Sequence, residues 1–418
     1  MQPTYSPRVV DLELVDRLAA TGAVVIEGPR ACGKTATARQ LAASEVLLDI
    51  DLNARQAAAV VPRLVLEGPT PRLIDEWQLV PEIWDQVRRW VEDRRNPGQF
   101  ILTGSAVPAD EITRHSGAGR ITRLRMRPMS LFEAGISTGT VSLSGVLGGQ
   151  PIAAPEPAIA VQRLAEEIIV GGWPGFRHLP PQRAQRAVRD YLDEIARVDI
   201  GRIDGGRHDP GRVRRLLRSL GRNVATYVSI STLATDTGGD DNPIDRETVR
   251  DYLVALKKLM ILEDQPAWAP HLRSRYRLRE AAKRHFVDPS LAASAMGASP
   301  ESLLRDLNLF GFLFESLVIR DLRVYAQAND ATVLQYRDSD GLEVDAVVEA
   351  SDGRWAAFEV KLGGGLVEEG VSTLKKFVNR IDTAKCGQPA ALAVITGTGY
   401  AYTRPDGIAI LPITALRS

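Results

Sequence analysis

The sequence has few cysteines and no excess of charge of either sign. Its 418 residues include only Cys32 and Cys386, which excludes a disulfide framework and indicates a reducing compartment. The formal net charge at pH 7 is zero, so contact with nucleic acid or an anionic membrane depends on a local patch. No apolar run is as long as a membrane span, and the N-terminus lacks a charged-then-apolar leader. We therefore expect a cytoplasmic protein without a membrane partner.

Lysine is scarce as well. Eight of the 52 basic residues are Lys and 44 are Arg. A chain that uses Arg for most of its positive charges keeps Lys where a compact ammonium is needed. Lys34 and Lys361 are the lysines that fall inside motifs. With 44% hydrophobic residues, the chain is long enough for two or three domains, each with its own core.

One stretch has the spacing of a phosphate-binding P-loop, Gly-x-x-x-x-Gly-Lys-Thr, at Gly28, Gly33, Lys34 and Thr35. A short apolar run before it predicts a strand, and an alanine-rich segment after it predicts a helix. The glycines allow successive backbone N–H groups to point inward, and the helix dipole attracts the same phosphates. An ordinary glycine-rich turn is the alternative. The agreement of the motif with both flanks favours nucleotide binding.

The whole loop forms the predicted nucleotide cradle. Lys34 would reach the β- and γ-phosphates, and the Thr35 hydroxyl would bind Mg²⁺. ATP and Mg²⁺ are therefore the expected cofactors. The cradle consists of Gly28, Pro29, Arg30, Ala31, Cys32, Gly33, Lys34, Thr35 and Ala36.

Strands that alternate with helices follow the P-loop and predict a parallel, doubly wound sheet. The strand predicted at 72–76 ends in Asp75 and Glu76. Beside a P-loop, Asp75 can hold the Mg²⁺ water shell while Glu76 polarises the attacking water. Acids that only favour a helix start are the alternative. The next predicted strand, 99–103, is followed by Ser105, which is a candidate to contact the γ-phosphate or the water.

Several motifs together resemble the AAA+-like ATPases of bacteria and archaea that carry a C-terminal domain of uncharacterised function. They are the P-loop, the Leu-Ile-Asp-Glu strand end, the Leu-Thr-Gly-Ser turn, a Gly-Ala-Gly-Arg step and the segment Arg-Pro-Met-Ser-Leu-Phe-Glu. The resemblance implies an arginine that reaches the γ-phosphate of a neighbouring subunit, and hence a homo-oligomer. Arg120 is favoured over Arg114 because it follows the glycine step. A simple surface charge is the alternative.

The middle of the chain begins with a predicted linker at 137–157, rich in Gly, Ser, Thr, Ala and Pro. Helical segments follow, and the elements predicted between 212 and 268 indicate a winged helix-turn-helix. Its longest helix has an apolar face and a face with Arg246, Arg250 and Lys257.

That helix is suited to read DNA, and a packing lid is the alternative. The next segment predicts a strand with a basic face for nucleic-acid phosphates, with DNA favoured, unless the charges are only solvated. Its basic residues are Arg273, Arg275, Arg277, Arg279, Lys283 and Arg284.

The last module is predicted to contain strands joined by tight turns. Glu315 lies on an apolar helix, while Asp345, Glu359 and Lys361 lie on strands whose alternate side chains share a face. The set resembles the restriction-endonuclease-like nuclease fold. The resemblance implies Mg²⁺ held by Glu315, Asp345 and Glu359, and a water that Lys361 orients for phosphodiester cleavage. A binding platform with a residual salt-bridge cluster is the alternative.

The predicted fold class is α/β in three parts. They are an AAA+-like ATPase core over 1–157, a helical and winged-helix module over 158–297, and a restriction-endonuclease-like domain over 298–418. The predicted function is an Mg²⁺-dependent ATPase coupled to a nucleic-acid-handling, nuclease-like domain. The alternative is an ATP-controlled switch that binds a protein or DNA partner without cleavage.

Overall fold

The computed structural model describes residues 5–104, 116–157, 159–201, 208–239, 242–270 and 282–418. The chain forms two units. Unit 1 consists of Met1–Pro128, Asp199–Gly206 and Val254–Ile261, and unit 2 consists of Met129–Val198, Arg207–Leu253 and Leu262–Ser418. Within the described ranges, no helix is both long and apolar enough to cross a membrane. The boundaries of the three predicted modules stay a prediction.

Five parallel strands form the sheet of unit 1, in the order β2-β3-β4-β1-β5. Because the strands are parallel, the carboxyl ends of β1, β3 and β4 meet at one edge, where ligands of open α/β sheets bind. The P-loop follows β1 at that edge. The strands are β1 Ala23–Glu27, β2 Ser44–Leu47, β3 Arg72–Asp75, β4 Phe100–Gly104 and β5 Ile121–Arg125.

Helices cover this sheet and bury two apolar clusters. One cluster contains Trp84 and Trp90, and the other contains Leu14 and Leu18. The segment after β2 forms two helices rather than one, because Pro62 cannot continue a helix and disfavours helical backbone at the residue before it. The helices are α1 Val10–Ala20, α2 Lys34–Arg39, α3 Leu52–Val60, α4 Arg63–Leu66 and α5 Ile83–Arg94.

The predicted linker is partly structured, which corrects the sequence interpretation. It contains strand β6, Val141–Ser142, and helix α6, Leu143–Leu147, with Leu143 and Val146 buried. Strand β6 pairs with β15, Leu416–Arg417, near the end of the chain. The short apolar pattern of this segment was not recognised because Gly and Ser are frequent in it. The strand that pairs with β6 is also remote in the sequence.

The middle of the chain is mainly helical and ends in a two-stranded antiparallel sheet of β7, Leu262–Gln265, and β8, Lys283–Phe286. The apolar face predicted for the longest helix is buried at Val249, Leu253 and Leu256. Helices followed by a two-stranded sheet fit the predicted winged helix, which stays a prediction. The helices are α7 Val161–Val170, α8 Pro181–Glu194, α9 Pro210–Arg222, α10 Ile230–Gly238 and α11 Arg246–Lys258.

The last part of unit 2 contains a six-stranded mixed sheet in the order β13-β14-β12-β11-β10-β9. Strands β9, β10 and β11 are antiparallel neighbours, and β11, β12 and β14 are parallel. The strands are β9 Ala331–Arg337, β10 Glu343–Ala350, β11 Trp355–Lys361, β12 Ala391–Thr396, β13 Tyr402–Thr403 and β14 Ala409–Pro412.

Helices accompany this sheet, and its core includes Trp268, Trp355 and Phe377. They are α12 Pro289–Met296, α13 Pro300–Arg305, α14 Leu307–Gln327, α15 Val367–Arg380 and α16 Thr383–Cys386.

Candidate functional site

The two P-loop glycines are required for different reasons. Gly33 has a φ of 106°, in the left-handed region that glycine enters without steric cost. At Gly28 the constraint is space, because an added Cβ would lie 2.3 Å from the Met126 carbonyl oxygen. The loop between them passes through Ala31, whose φ is 60°. The backbone therefore makes the tight turn that a phosphate cradle needs.

An arginine outside the loop holds the backbone of the cradle by hydrogen bonds. Arg8 is buried, and its guanidinium donates to the carbonyl oxygens of Cys32 at 2.8 Å and Arg127 at 2.7 Å. Cys32 is fully buried in the apolar core, so only its backbone can face a phosphate. Arg8 was not identified from the sequence.

Other cradle side chains differ in exposure. Arg30 forms an ion pair with Asp199 at 2.7 Å, between Nη1 and Oδ1. Pro29 is buried, whereas Ala36 is exposed on the first turn of α2. The side chains of Pro29 and Ala36 have no group that can donate to a phosphate. The loop backbone is therefore the part of the cradle that can surround phosphates.

Lys34 is buried at the centre of the loop, with 6% of its surface exposed. Its Nζ donates to the carbonyl oxygens of Gly28 at 3.0 Å and Pro29 at 2.9 Å. Both acceptors are neutral. The charge of the ammonium is thus held in the loop by backbone dipoles and stays available for an anion.

Asp75 lies beside Thr35, as the strand order of the sheet requires. The Thr35 hydroxyl donates to Asp75 Oδ1 at 2.9 Å, and Thr103 on β4 donates to the same carboxylate. Asp75 is 7% exposed. A hydroxyl whose proton is directed to a carboxylate turns its lone pairs outward, so the donor set suits a hard cation such as Mg²⁺. Ser105, the predicted contact of the γ-phosphate or the water, lies outside the described residues, as does Arg114.

The backbone turns sharply at Glu76, directly after β3. Its φ of 54° is left-handed, and its carboxylate accepts a hydrogen bond from the Gln78 side chain. The side chain makes no capping hydrogen bond to the described turn Trp77–Leu79. Gln78 was not identified from the sequence, although its carboxamide lies against Gly104 at the end of β4.

Arg120 lies at the other edge of the sheet. Its carbonyl oxygen accepts from the N–H of Ala23, the first residue of β1, so the whole strand, roughly 16 Å, separates it from the P-loop. Its side chain is 40% exposed and pairs with Glu92 at 2.9 Å. Arg120 therefore cannot complete the site of its own subunit. A role across a subunit interface stays a prediction.

A second group of charged side chains lies in unit 2 around Lys283. Its Nζ is 2.9 Å from Glu315 Oε1 on α14 and 3.4 Å from Asp345 Oδ1 on β10, and it also contacts Glu343. The Lys283 side chain is 2% exposed. The prediction of a basic strand face is therefore wrong at Lys283, because the side chain points into a cluster of acids. Residues 273–281 lie outside the described residues.

We call Lys283, Glu315, Glu343 and Asp345 the lysine-carboxylate cluster. Burial raises the pKa of Glu315 to about 8, with the charge of Asp345 adding to this effect and that of Lys283 opposing it. For Lys283, burial lowers the pKa, but the three carboxylates outweigh it and raise the pKa well above its ordinary value. The ammonium is therefore charged at neutral pH.

Glu359 and Lys361 form a neighbouring pair. Lys361 Nζ lies 3.4 Å from Glu359 Oε2 and 3.6 Å from Glu369 Oε1. Burial and the charge of Asp345 raise the pKa of Glu359 well above its ordinary value, although Lys361 opposes them. The predicted Glu-x-Lys strand is thus present, with both side chains on the same face.

The predicted metal ligands Glu315, Asp345 and Glu359 do not form a ready metal site. Among the described residues, no group of three His, Cys, Asp or Glu side chains is arranged to hold a metal ion. The Lys283 ammonium lies between two of the three predicted ligands, and Asp345 Oδ2 accepts from the N–H of Val360 at 2.9 Å. As it stands, the donor set does not fit Mg²⁺.

The lysine-carboxylate cluster borders a cavity of about 960 Å³. Exposed apolar side chains from Leu307, Phe312 and Leu366 line it together with Lys361. Acids outnumber bases among its charged lining residues, so the cavity does not suit a nucleic-acid phosphate.

Residues 20–135 match a family model described as an AAA domain. Two further models, each described as a domain of unknown function (DUF8612 and DUF4143), match residues 161–302 and 310–416. The AAA-domain match confirms the predicted AAA+-like character of the N-terminal part. The other two descriptions test neither the winged-helix nor the nuclease-like prediction.

The chain is 24% identical over 343 residues to uncharacterised proteins of Mycobacterium tuberculosis and Mycobacterium bovis, covering 81% of this chain and 70% of each relative. Among solved structures, a Walker-type ATPase of Pyrococcus abyssi matches with a TM-score of 0.42 and 14% identity, over 68% of this chain and 94% of that chain. A RuvB variant of Thermotoga maritima matches with a TM-score of 0.28 and 17% identity, over 62% and 89%. These low scores add no argument to the family match.

Proposed function

We propose that this chain, whose N-terminal part is an AAA+-like P-loop ATPase domain, hydrolyses ATP with Mg²⁺ and uses the cycle to control binding of DNA without cleaving it. The observation that supports the ATPase most directly is the Asp75 carboxylate, which accepts from Thr35 beside the cradle. A carboxylate and a hydroxyl at that edge of a parallel sheet are the hard oxygen groups that MgATP requires.

The cradle binds the phosphates through its backbone N–H groups and Lys34. The ammonium has three donors and gives two to its own loop, so one N–H can be donated to a phosphate oxygen. Thr35 would hold Mg²⁺ through its hydroxyl, and Asp75 would hold the water shell. When bound, the cation neutralises charge on the β- and γ-phosphate oxygens.

Glu76 is the proposed general base. Its carboxylate would orient a water for in-line attack on the γ-phosphorus and accept the proton as the bond to the β-phosphate oxygen breaks. Gln78 already donates to this carboxylate and thereby positions it. Ser105 stays a candidate for contact with the γ-phosphate, and Arg120 stays a candidate only in a neighbouring subunit.

The DNA contact is proposed for helix α11, on which Arg246, Arg250 and Lys257 are exposed. Arg250 is paired with Glu247 at 2.8 Å, an exposed pair that DNA phosphates can replace at little cost. Replacing Arg246 and Arg250 by Ala should weaken binding to duplex DNA and flatten its salt dependence. Unchanged affinity at low salt would remove α11 from the interface and favour a protein partner.

Binding without cleavage is proposed because the Lys283 ammonium occupies the carboxylates that a nuclease would give to a metal ion. Plasmid and oligonucleotide substrates, single- and double-stranded DNA and RNA, should stay intact with Mg²⁺ or Mn²⁺, with and without ATP. Cleavage by the wild type that is lost in both Asp345→Ala and Lys361→Arg would instead establish the nuclease function. The guanidinium of the second variant is too large and too firmly protonated to activate a water.

A further inference from the structure

Helix α9 carries several arginines and no acids. Its 13 residues, Pro210–Arg222, include five arginines and neither Asp nor Glu. Its apolar side chains are buried, whereas Arg214, Arg218 and Arg222 are exposed. The helix therefore has an apolar face that the fold covers and an arginine face that is open to solvent. The buried apolar residues are Val213, Leu216, Leu217 and Leu220.

The three exposed arginines form a row along the helix, which we call the arginine row. Arg214, Arg218 and Arg222 follow one another at intervals of four residues, and residues at this interval are neighbours on one helix face. At about 1.5 Å of rise per residue, the row is about 12 Å long. The phosphates of one DNA strand follow one another at about 3.4 Å along the duplex axis, so the row can lie beside roughly three or four of them.

The charges of the arginine row are not strongly held by the protein itself. Arg214 Nε lies 2.6 Å from Asp193 Oδ1, in a pair whose side chains are 42% and 37% exposed. Such a pair contributes little to stability, so an anionic ligand can replace it. No side-chain hydrogen bond or ion pair joins Arg218 or Arg222 to another residue of the described ranges. Like charges four residues apart destabilise a helix, and a bound anion would offset this repulsion.

The chemistry of the row favours phosphates of nucleic acid. A guanidinium group has a planar fork of donors that matches two oxygens of one phosphate. An anionic lipid surface also offers phosphates, but a helix that lies in a bilayer interface buries an exposed apolar face there. The apolar face of α9 is already covered by the fold. The arginine row is therefore suited to the phosphate backbone of a duplex.

We infer that the arginine row of α9 is a phosphate-binding face that holds duplex DNA without reading its sequence. The inference rests on the proposed DNA binding and adds a second contact to that of α11. Contacts to phosphates fix the position of a protein on DNA and supply affinity, but they carry no sequence information.

Fluorescence anisotropy of the full-length chain with two duplexes of unrelated sequence, at salt concentrations from about 50 to 200 mM, tests the inference. Arg218→Ala/Arg222→Ala should bind both duplexes roughly tenfold or more weakly at the lowest salt. The slope of log K against log salt should become shallower by about 2, because two phosphate contacts are lost. Arg305→Ala/Lys376→Ala is the matched control, since it removes two exposed charges from other helices of unit 2 and should bind like the wild type.

Arg218→Lys/Arg222→Lys keeps both charges and loses only the forked geometry, so it should keep the salt slope of the wild type and lose less affinity than the alanine variant. An alanine variant with wild-type affinity and slope, an equal loss in the control, or a loss on only one duplex would overturn the inference. Phosphatidylserine vesicles are a further probe. If the alanine variant lost vesicle binding and kept its DNA affinity, the partner would be a membrane instead.

The failure of this inference can be distinguished from the failure of the proposed function. A wild type that binds neither duplex would contradict the proposed DNA binding, and the inference with it. DNA binding that is weakened by replacement of Arg246 and Arg250 but not of Arg218 and Arg222 would contradict the inference alone. The reverse pattern would support the arginine row and remove α11 from the interface.

Discussion

Lys34 and Lys283 are both buried lysines, but they have opposite kinds of partner. Lys34 donates to two neutral carbonyl oxygens of its own loop, whereas Lys283 is surrounded by carboxylates from two other elements. A charge held by dipoles can still bind a phosphate, while a charge held by acids is already neutralised. The partners of a buried lysine, rather than its presence, thus distinguish a ligand site from an internal ion pair.

The largest effect is expected at the first lysine. Lys34→Ala should weaken ATP binding roughly 100-fold or more, because charge-assisted hydrogen bonds to phosphate have no substitute in the cradle. Calorimetry with ATP and Mg²⁺ measures this, and Lys361→Ala is the control that keeps full affinity. Undiminished affinity in Lys34→Ala would show that Lys34 does not bind the phosphates and does not differ from Lys283 in this respect.

Glu76→Gln should separate binding from chemistry in the ATPase domain. The amide cannot accept a proton from the attacking water, so turnover should fall roughly 10²–10⁴-fold while ATP affinity is kept. Phosphate release under saturating ATP measures the rate. Wild-type turnover in this variant would mean that Asp75 or another residue acts as the base.

At the second lysine the expected loss is in stability rather than in ligand binding. Lys283→Met should lower the free energy of unfolding by about 3 kcal/mol, because it breaks a buried ion pair and leaves its acids without a partner. Lys361→Met removes a more exposed charge and should cost about 1 kcal/mol or less. Urea unfolding of both variants measures the difference. Equal losses would show that Lys283 contributes no more to the free energy of unfolding than Lys361 does.

A smaller effect is expected from pH. Burial raises the pKa of Glu315 in the folded state to about 8 from an ordinary value of 4.5, so the folded state binds more protons than the unfolded state between these values. The contribution of Glu315 to stability should therefore be lost as pH rises through this window. Glu315→Gln should show less decline than the wild type in urea unfolding between pH 5.5 and 8. Parallel pH profiles would exclude this titration.

The sequence predicted the P-loop well because its residues are contiguous, and the cradle geometry depends on local backbone at Gly28 and Gly33. Asp75 was found because a short apolar strand ends in an acid. The position of Arg120, away from the P-loop of its own subunit, could not be predicted, because a local sequence pattern does not specify the order of parallel strands; its role in a neighbouring subunit stays a prediction.

Lys283 shows a second limit of sequence reasoning. It belongs to a run of basic residues that includes Arg284, and this run predicted a strand face for nucleic-acid phosphates, with a solvated face as the alternative. Its partners in space are remote along the chain, at Glu315, Glu343 and Asp345. The scarcity of lysine applied to it as much as to Lys34 and was the available signal. That signal shows that a lysine is required, but not which groups surround it.

Phosphate release from ATP by the full-length wild type and by Lys34→Ala, each with Mg²⁺ and with a chelator, tests the central claim most directly. The account predicts turnover only in the wild type with Mg²⁺, and unchanged turnover when Lys361 is replaced by Ala. Equal turnover by wild type and Lys34→Ala, or turnover that persists without divalent cations, would contradict it.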